Sequence, residues 1–289
     1  MCYNTVMKKD TKAQYLKKVN EVLYIIHKDI SQNYSVDELS KKVALSPFHF
    51  NRIFKKIIGT SLHSYIKKIR LEYAANSLLF NPDSTISDIL LECGFASNSS
   101  FTHAFKKFFG VTPTKWREVD IPKNIIINIK DISPPKAKIV MLEQTEVVYI
   151  RHKGYDKSIK DAWMKLIWFC ENEGIEFQAS KMIGLHHSNP NIVEPKECRY
   201  VACLKIDKKI YPKGDIGVMK IPKIVCAKFS LKGKYGDLLK YMDYIYYIWL
   251  PSSKYEKIHL PALAYYRKNH FIEEDEKFDL DFYVPLRYK

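Results

Sequence analysis

Asn51 and Arg52 stand side by side in SPFHFNRIFKKIIG (46–59), and Ser99, Ser100 and His103 lie in SNSSFTHAFKKFFG (97–110). An arginine fork can bind O6 and N7 of guanine together, and an asparagine amide can do the same for N6 and N7 of adenine. Serine and histidine reach a base edge or a phosphate. Lys55, Lys56, Lys106 and Lys107 follow near the end of each segment, where an ammonium suits a phosphate better than a base. These residue types, occurring twice, suit a double-stranded nucleic acid.

The elements that must present them are two helices. Phe50, Ile53, Phe54 and Ile57 recur at helical spacing and form an apolar stripe; Phe101, Ala104, Phe105 and Phe108 repeat it. The stripes belong to a core. What stays outside is Phe48, Asn51, Arg52 and Lys55 in one helix, and Ser99, Ser100, His103 and Lys106 in the other. The two segments match at an offset of 51, and each follows a short amphipathic segment, Val36–Val43 or Ile86–Cys93, at an offset of 50. A doubled helical unit is a fold-level signal. Ser35 and Glu38 fit a capping box. Ser46 can cap the next helix with Pro47 at its first position. Gly59 and Gly110 sit where a left-handed C-terminal cap belongs. Gly94 lies at the turn of a helix-turn-helix. Between the units, Leu62–Phe80 reads as one helix. It can hold two reading helices about one DNA turn apart, near 34 Å.

Charge supports this location only locally. The chain of 289 residues carries a net +15. That excess is split almost evenly, +7 over residues 1–120 and +8 over 121–289. Two windows without any acid, 39–71 and 93–117, bracket the two reading segments. Such clusters are what counterion release on DNA would reward. Six scattered cysteines without a CxxC pair speak against a zinc site or a disulfide framework and fit a reducing cytoplasm. The start has no apolar signal segment, and no apolar run approaches a membrane span.

Residues 15–118 resemble the DNA-binding domain of the AraC/XylS family of transcription regulators. The resemblance rests on IRLEYAANSLL (69–79), ISDILLECGFASNSSF (86–101) and FKKFFGVTPTKWR (105–117). It implies seven helices with two helix-turn-helix units. It also implies base contacts from Phe48, Asn51 and Arg52, and from Ser99, Ser100 and His103. His103 stands where relatives commonly carry arginine.

After Arg117 the pattern changes. Pro122, Pro134 and Pro135 prevent a continuous helix, and IIINI (125–129) has the composition of a short strand. We divide the chain into an N-terminal tail (1–14), a DNA-binding domain (15–118), a linker (119–137) and a second domain (138–289). In the second domain, strand candidates at 147–151 and 225–229 are followed by Lys153-Gly154 and Lys232-Gly233, then by helices near 156–173 and 236–249. Further strands are expected at 181–187, 200–205, 262–267 and 279–285. This is an α+β domain of two duplicated strand-helix-strands units behind an all-α domain, and a cleft between such units is a default ligand site. Fourteen of 20 tyrosines and three of four tryptophans lie after residue 140.

This half resembles the GyrI-like effector-binding domain through YIRHKGYDKSIKDAW (149–163), FSLKGKYGDL (229–238), IWLP (248–251) and DLDFYVPL (279–286). The resemblance implies a small-molecule pocket between the repeats, with Trp163 and Tyr266 at family pocket positions. We add Tyr155, Trp249 and Tyr283 as pocket candidates. Ala264 stands where relatives often have a glutamate, which argues against a cationic ligand. The reading is a cytoplasmic transcription regulator and not an enzyme. Its expected partners are double-stranded DNA, an aromatic or amphipathic small molecule, and RNA polymerase. No cofactor, metal or membrane is expected. The alternatives for the second domain are a small-molecule hydrolase or a dimerisation module without a ligand. No Ser-His-Asp set or phosphate loop supports the first.

Overall fold

A computed structural model describes residues 2–118, 129–130, 132–175 and 178–289, with side chains from Thr11 onward. Its first part is helical: α1 (Cys2–Lys28), α2 (Val36–Lys42), α3 (Pro47–Ile58), α4 (Leu62–Phe80), α5 (Ile86–Glu92), α6 (Asn98–Phe109) and α7 (Pro113–Arg117). The residues set apart as a tail are continuous with α1. No glycine or proline interrupts MCYNTVMKKDTKAQ, so nothing in it stops a helix.

The helix ends follow local chemistry. Ser46, Ser61, Ser97 and Thr112 each accept a hydrogen bond from the backbone amide three residues on. Gly59 and Gly110 close α3 and α6 at φ +85° and +81°. Only half of the expected Ser35 box forms: Ser35 accepts from the Glu38 amide, while the Glu38 carboxylate lies 3.9 Å from Lys42. The reciprocal box is made instead by Thr85 and Asp88, before α5. Gly94 has φ +69°, and a Cβ there would stand 2.3 Å from the Ser31 carbonyl oxygen. No other residue fits that approach without movement.

Helix α4 supplies three cores in succession. Leu62, Tyr65, Ile66 and Ile69 enter the core of the first unit with α1 and α3. Leu71, Ala74, Ala75 and Leu78 enter the core of the second with α5 and α6. Phe80 enters the core of the second half of the chain. Arg70 sits at the first change-over. It donates to the carbonyls of Ile30 (2.7 Å), Gln32 (2.7 Å) and Gly94 (2.9 Å), which ties the loop before α2 to the turn before α6. Arg70 thus belongs to the scaffold, although it lies in a basic window.

The second half is an antiparallel sheet. Its strands are β1 (Lys138–Leu142), β2 (Thr145–Lys153), β3 (Met182–His186), β4 (Arg199–Lys205), β5 (Ile216–Ile221), β6 (Ile224–Lys234), β7 (Tyr255–Lys257), β8 (Ala262–Lys268) and β9 (Lys277–Tyr288). The order is β1-β6-β9-β8-β3-β4-β2-β5, with β7 paired to β9. The duplication is visible in this order. In each unit the first strand (β2 or β6) pairs with the third (β4 or β9), the second (β3 or β8) also pairs with the third, and the two second strands meet at the seam. At the seam Gly184 stands opposite Ala264 and His186 opposite Ala262 on one face, and Ile183 opposite Tyr265 and Leu185 opposite Leu263 on the other.

Helix α8 (Ile159–Asn172) lies between β2 and β3. It starts later than 156 because Asp156 and Ser158 bond to each other in a turn. Helix α9 (Asp237–Tyr244) continues into a π-helical turn, Ile245–Trp249, ahead of Pro251. Lys232 and Gly233 do not form a turn: they lie inside β6, and Gly236, at φ +92°, makes the corner. Strands β1, β5 and β7 were not anticipated, being short or at an edge. The strand candidate at 125–129 lies outside the described residues apart from Ile129. Among the described residues, no helix is long and apolar enough to cross a membrane.

Candidate functional site

The two sets of residues expected to read DNA lie at the surface. Phe48, Asn51, Arg52, Lys55 and Lys56 are exposed on α3, while Phe50, Ile53 and Phe54 are buried. Phe48 is 81% exposed, which is unusual for a ring without a partner surface. On α6, Ser99, Ser100, His103, Lys106 and Lys107 are exposed, while Phe101, Ala104 and Phe105 are buried. Arg52 is not free to wander. It donates to Nδ1 of His49 at 3.1 Å, and Nε2 of His49 lies 2.9 Å from the Tyr15 hydroxyl. With Nδ1 accepting, the ring proton sits on Nε2 and is given to Tyr15. A chain from α1 therefore orients the Arg52 fork. The sequence hint was the spacing of three between His49 and Arg52, which places them on neighbouring positions of a helix. Helix α4 is about 28 Å long at 1.5 Å per residue and separates the two units.

The opposite side of α4 faces the sheet. Glu72, 3% exposed, pairs with Arg199 of β4. Lys68 reaches Glu197 at 3.1 Å. Asn81 bonds twice to the backbone of Lys257, at 3.0 and 3.1 Å, and Ser84 donates to Glu256 at 2.7 Å. Phe80 is 1% exposed and stacks on Tyr246, with centroids 5.1 Å apart and 16° between the planes. From α1, the His27 ring meets His187 at 4.8 Å. Burial, with Arg151 and Arg199 nearby, pulls both imidazoles well below their ordinary range. Burial also draws the Lys257 ammonium down to about 8.

On the face of the sheet covered by α8 and α9, an aromatic interior forms at the seam. Trp163 meets Tyr266 edge to face at 5.9 Å, and the Tyr200 and Tyr266 hydroxyls are 3.3 Å apart. Tyr200 lies over Gly184, where a Cβ would come within 2.2 Å of its hydroxyl oxygen. Tyr155 is half-buried, and its hydroxyl is 3.3 Å from Nδ1 of His186. His186 Nε2 and His270 Nδ1 are buried with no hydrogen-bond partner among the described residues. Burial holds His186 at about 3 and His270 at about 4, so both are neutral near pH 7. Ala264 is buried in the same core, and no carboxylate stands at its position.

Three of the five pocket candidates, Tyr155, Trp163 and Tyr266, meet here. The other two do not. Tyr283 is on the opposite face, where it packs against Tyr265 at 5.0 Å, because it lies one residue out of phase with Phe282 and Val284. Trp249 packs against Phe229 of β6 at 5.0 Å, strands away from the seam. Sequence reasoning missed Tyr200, His186 and His270. The first had a usable signal in the glycine it requires on the neighbouring strand.

Comparison with known proteins agrees with both halves. Residues 135–287 match a family model described as the GyrI-like small molecule binding domain, and residues 39–118 match a helix-turn-helix domain. The probable transcription factor PqrA of Proteus vulgaris is 40% identical over 102 residues, 35% of this chain and 83% of that protein. The transposon Tn10 TetD protein of Escherichia coli is 34% identical over 114 residues, 39% of this chain and 82% of that protein. A cryo-EM structure of an EcmrR–DNA complex aligns over 89% of this chain and 100% of its own, at 16% identity and a TM-score of 0.46. The chain belongs to the GyrI-like small-molecule binding family through its second half and, through its first, to the AraC-type helix-turn-helix transcription regulators, so that it is a DNA-binding transcription regulator.

Proposed function

We propose that the protein is a ligand-responsive regulator in which α3 and α6 read DNA and the aromatic interior binds the effector. Phe48, Asn51, Arg52, Ser99, Ser100 and His103 contact bases, and Lys55, Lys56, Lys106 and Lys107 hold phosphates. Trp163, Tyr266 and Tyr155, joined by Tyr200, His186 and His270, receive the ligand. The observation that carries this reading is Phe80. The helix between the two DNA-reading units ends inside the core that holds the aromatic interior. The interior is apolar, uncharged near pH 7 and supplied with unpaired nitrogens. It therefore suits a neutral aromatic molecule that both donates and accepts hydrogen bonds, rather than a cation. Its role is a sensor's and not an enzyme's. The protein acts where the chromosome is, in the cytoplasm, with RNA polymerase as the partner of the DNA-bound form.

A thermal-shift screen of neutral aromatic compounds on the full chain, followed by DNA-binding titrations with each hit, tests the proposal. A hit should lose about ten-fold in affinity in Tyr266→Phe or Trp163→Phe, the scale of one buried hydrogen bond. Hits that bind both variants as tightly as the parent, or that are chemically turned over, would refute the assignment.

A further inference from the structure

A cleft of about 890 Å³ lies between the helical half and the sheet, against β2 and the start of β4. Its size falls within the range of small-molecule sites, roughly 300–1,000 Å³. Helix α1 supplies apolar wall from Leu16, Val19 and Leu23. The C-terminal ends of both reading helices line it as well, α3 through Ile57 and Gly59 and α6 through Lys107 and Phe108. Strand β2 and the start of β4 close the far side.

The charge of this cleft is lopsided. Six lysines and arginines line it against two carboxylates, Glu197 and Asp215. Both carboxylates are already engaged. Glu197 is bridged by Lys153 at 2.6 Å and Lys68 at 3.1 Å, and Asp215 lies 3.6 Å from Lys165. Arg199 is taken by Glu72. Lys67, Lys107 and Arg151 are left with no carboxylate within ion-pair distance among the described residues. Arg151 is half-buried over the Tyr149 ring, 5.1 Å from its centroid, and its Nε is buried without a hydrogen-bond partner. A cation held in that way lacks an anion.

From this juxtaposition we infer a second ligand site, at the junction of the two halves, for an anionic amphiphile: one carboxylate or sulfonate on an apolar body. The head pairs with Arg151 and Lys67, and the body lies along α1 and Phe108. The occupant touches the ends of both reading helices at once, which no ligand of the aromatic interior does. This site is independent of the effector reading above.

The probe is 8-anilinonaphthalene-1-sulfonate, with its uncharged counterpart N-phenyl-1-naphthylamine, titrated by fluorescence against the full chain. The sulfonate should bind at one site and weaken about ten-fold in Arg151→Gln, the scale of one charge-assisted hydrogen bond. Lys67→Gln, a milder change on a helix surface, should weaken it in the same direction, and the uncharged dye should respond to neither. Equal affinity for both dyes, or a sulfonate affinity unchanged in both variants, overturns the inference. Loss of sulfonate binding in Trp163→Phe but not in Arg151→Gln also overturns it, by putting the dye in the aromatic interior. Competitive displacement by duplex DNA would assign Arg151 and Lys67 to nucleic-acid phosphate and overturn it as well.

Discussion

Phe80→Ala should separate the two halves of the protein. The ring is 1% exposed, stacks on Tyr246 and meets Tyr247 edge to face at 5.1 Å and 90°. Truncating a buried phenylalanine costs about 3–5 kcal/mol, from lost burial and the cavity left behind. The loss here has a direction, because Phe80 is covalently part of α4 while its neighbours belong to the sheet's core. The hydrogen bonds and ion pairs around Glu72, Asn81 and Ser84 remain; these groups are buried, and their pairing largely offsets their own desolvation. Equilibrium urea unfolding checks this with two probes. Circular dichroism at 222 nm follows mostly the helical half, and tryptophan fluorescence follows mostly the second half, which holds Trp163, Trp168 and Trp249. The parent should give coincident transitions. The variant should lose about 3–5 kcal/mol, and the two transitions should part. A loss below about 1 kcal/mol with coincident transitions would refute the reasoning, since a well-packed ring cannot be removed that cheaply.

Arg52→Ala should cost about 1–3 kcal/mol of specific DNA affinity and relax one base preference; equal losses on specific and random duplexes would exclude base reading. Lys55→Ala should weaken both duplexes alike and reduce the slope of log affinity against log salt by about 0.9. Gly94→Ala should destabilise the second helix-turn-helix unit by roughly 1–3 kcal/mol, because the positive φ and the Ser31 carbonyl 2.3 Å from the new Cβ both oppose it; a melting temperature equal to the parent's would contradict this. Acid should destabilise the fold through His27, His187, His186 and His270, whose folded values all lie below the ordinary 6.5. Their stabilising effect is complete above pH 6.5 and falls as pH drops toward about 4, by at most about 1.4 kcal/mol per histidine per pH unit. Asp243, raised to about 6, works in the opposite sense, since its contribution is lost as pH rises through 6. Urea midpoints at pH 7.5 and 5 that are equal would refute the histidine account.

Much of this was readable from residue order. Serine, proline and glycine punctuation fixed the ends of α3 and α6, because caps act within one turn and need no distant partner. The duplication in both halves was legible for the same reason, as local pattern repeated. What failed was long-range or one residue deep. Gly233 was misread as a corner because a glycine after a strand signals either a turn or a close approach, and here Phe278 would stand 2.9 Å from its Cβ. Tyr283 does not join Trp163 and Tyr266 because strand alternation turns it to the other face, and the phase of β9 is fixed only by its pairing with β6 and β8. The basic window at 39–71 mixed two populations. Lys55 and Lys56 are exposed, whereas Arg70 and Lys68 hold the scaffold together, and composition cannot tell them apart.

The contact between the halves bears directly on how a ligand could reach DNA. A regulator needs one element that both sites bias, not merely two sites in one chain. Helix α4 is placed for that role on its first side, since its successive turns belong to both helix-turn-helix cores. On the other side the route from the aromatic interior is short. The Tyr155 hydroxyl touches the Met242 sulfur at 4.0 Å, Met242 is in α9, and the continuation of α9 carries Tyr246 onto Phe80. A ligand that wedges Tyr155 away from His186 must displace Met242 or lose the contact. Displacement of Met242 would carry along α9 into the π-helical turn on which Tyr246 sits, and such turns recur at functional sites. Adjacency alone does not make this a coupling. A double-mutant cycle between Met242→Ala and Phe80→Leu, read as the change a ligand makes in DNA affinity, isolates it: an interaction energy near zero would leave α4 as a scaffold with no part in the response.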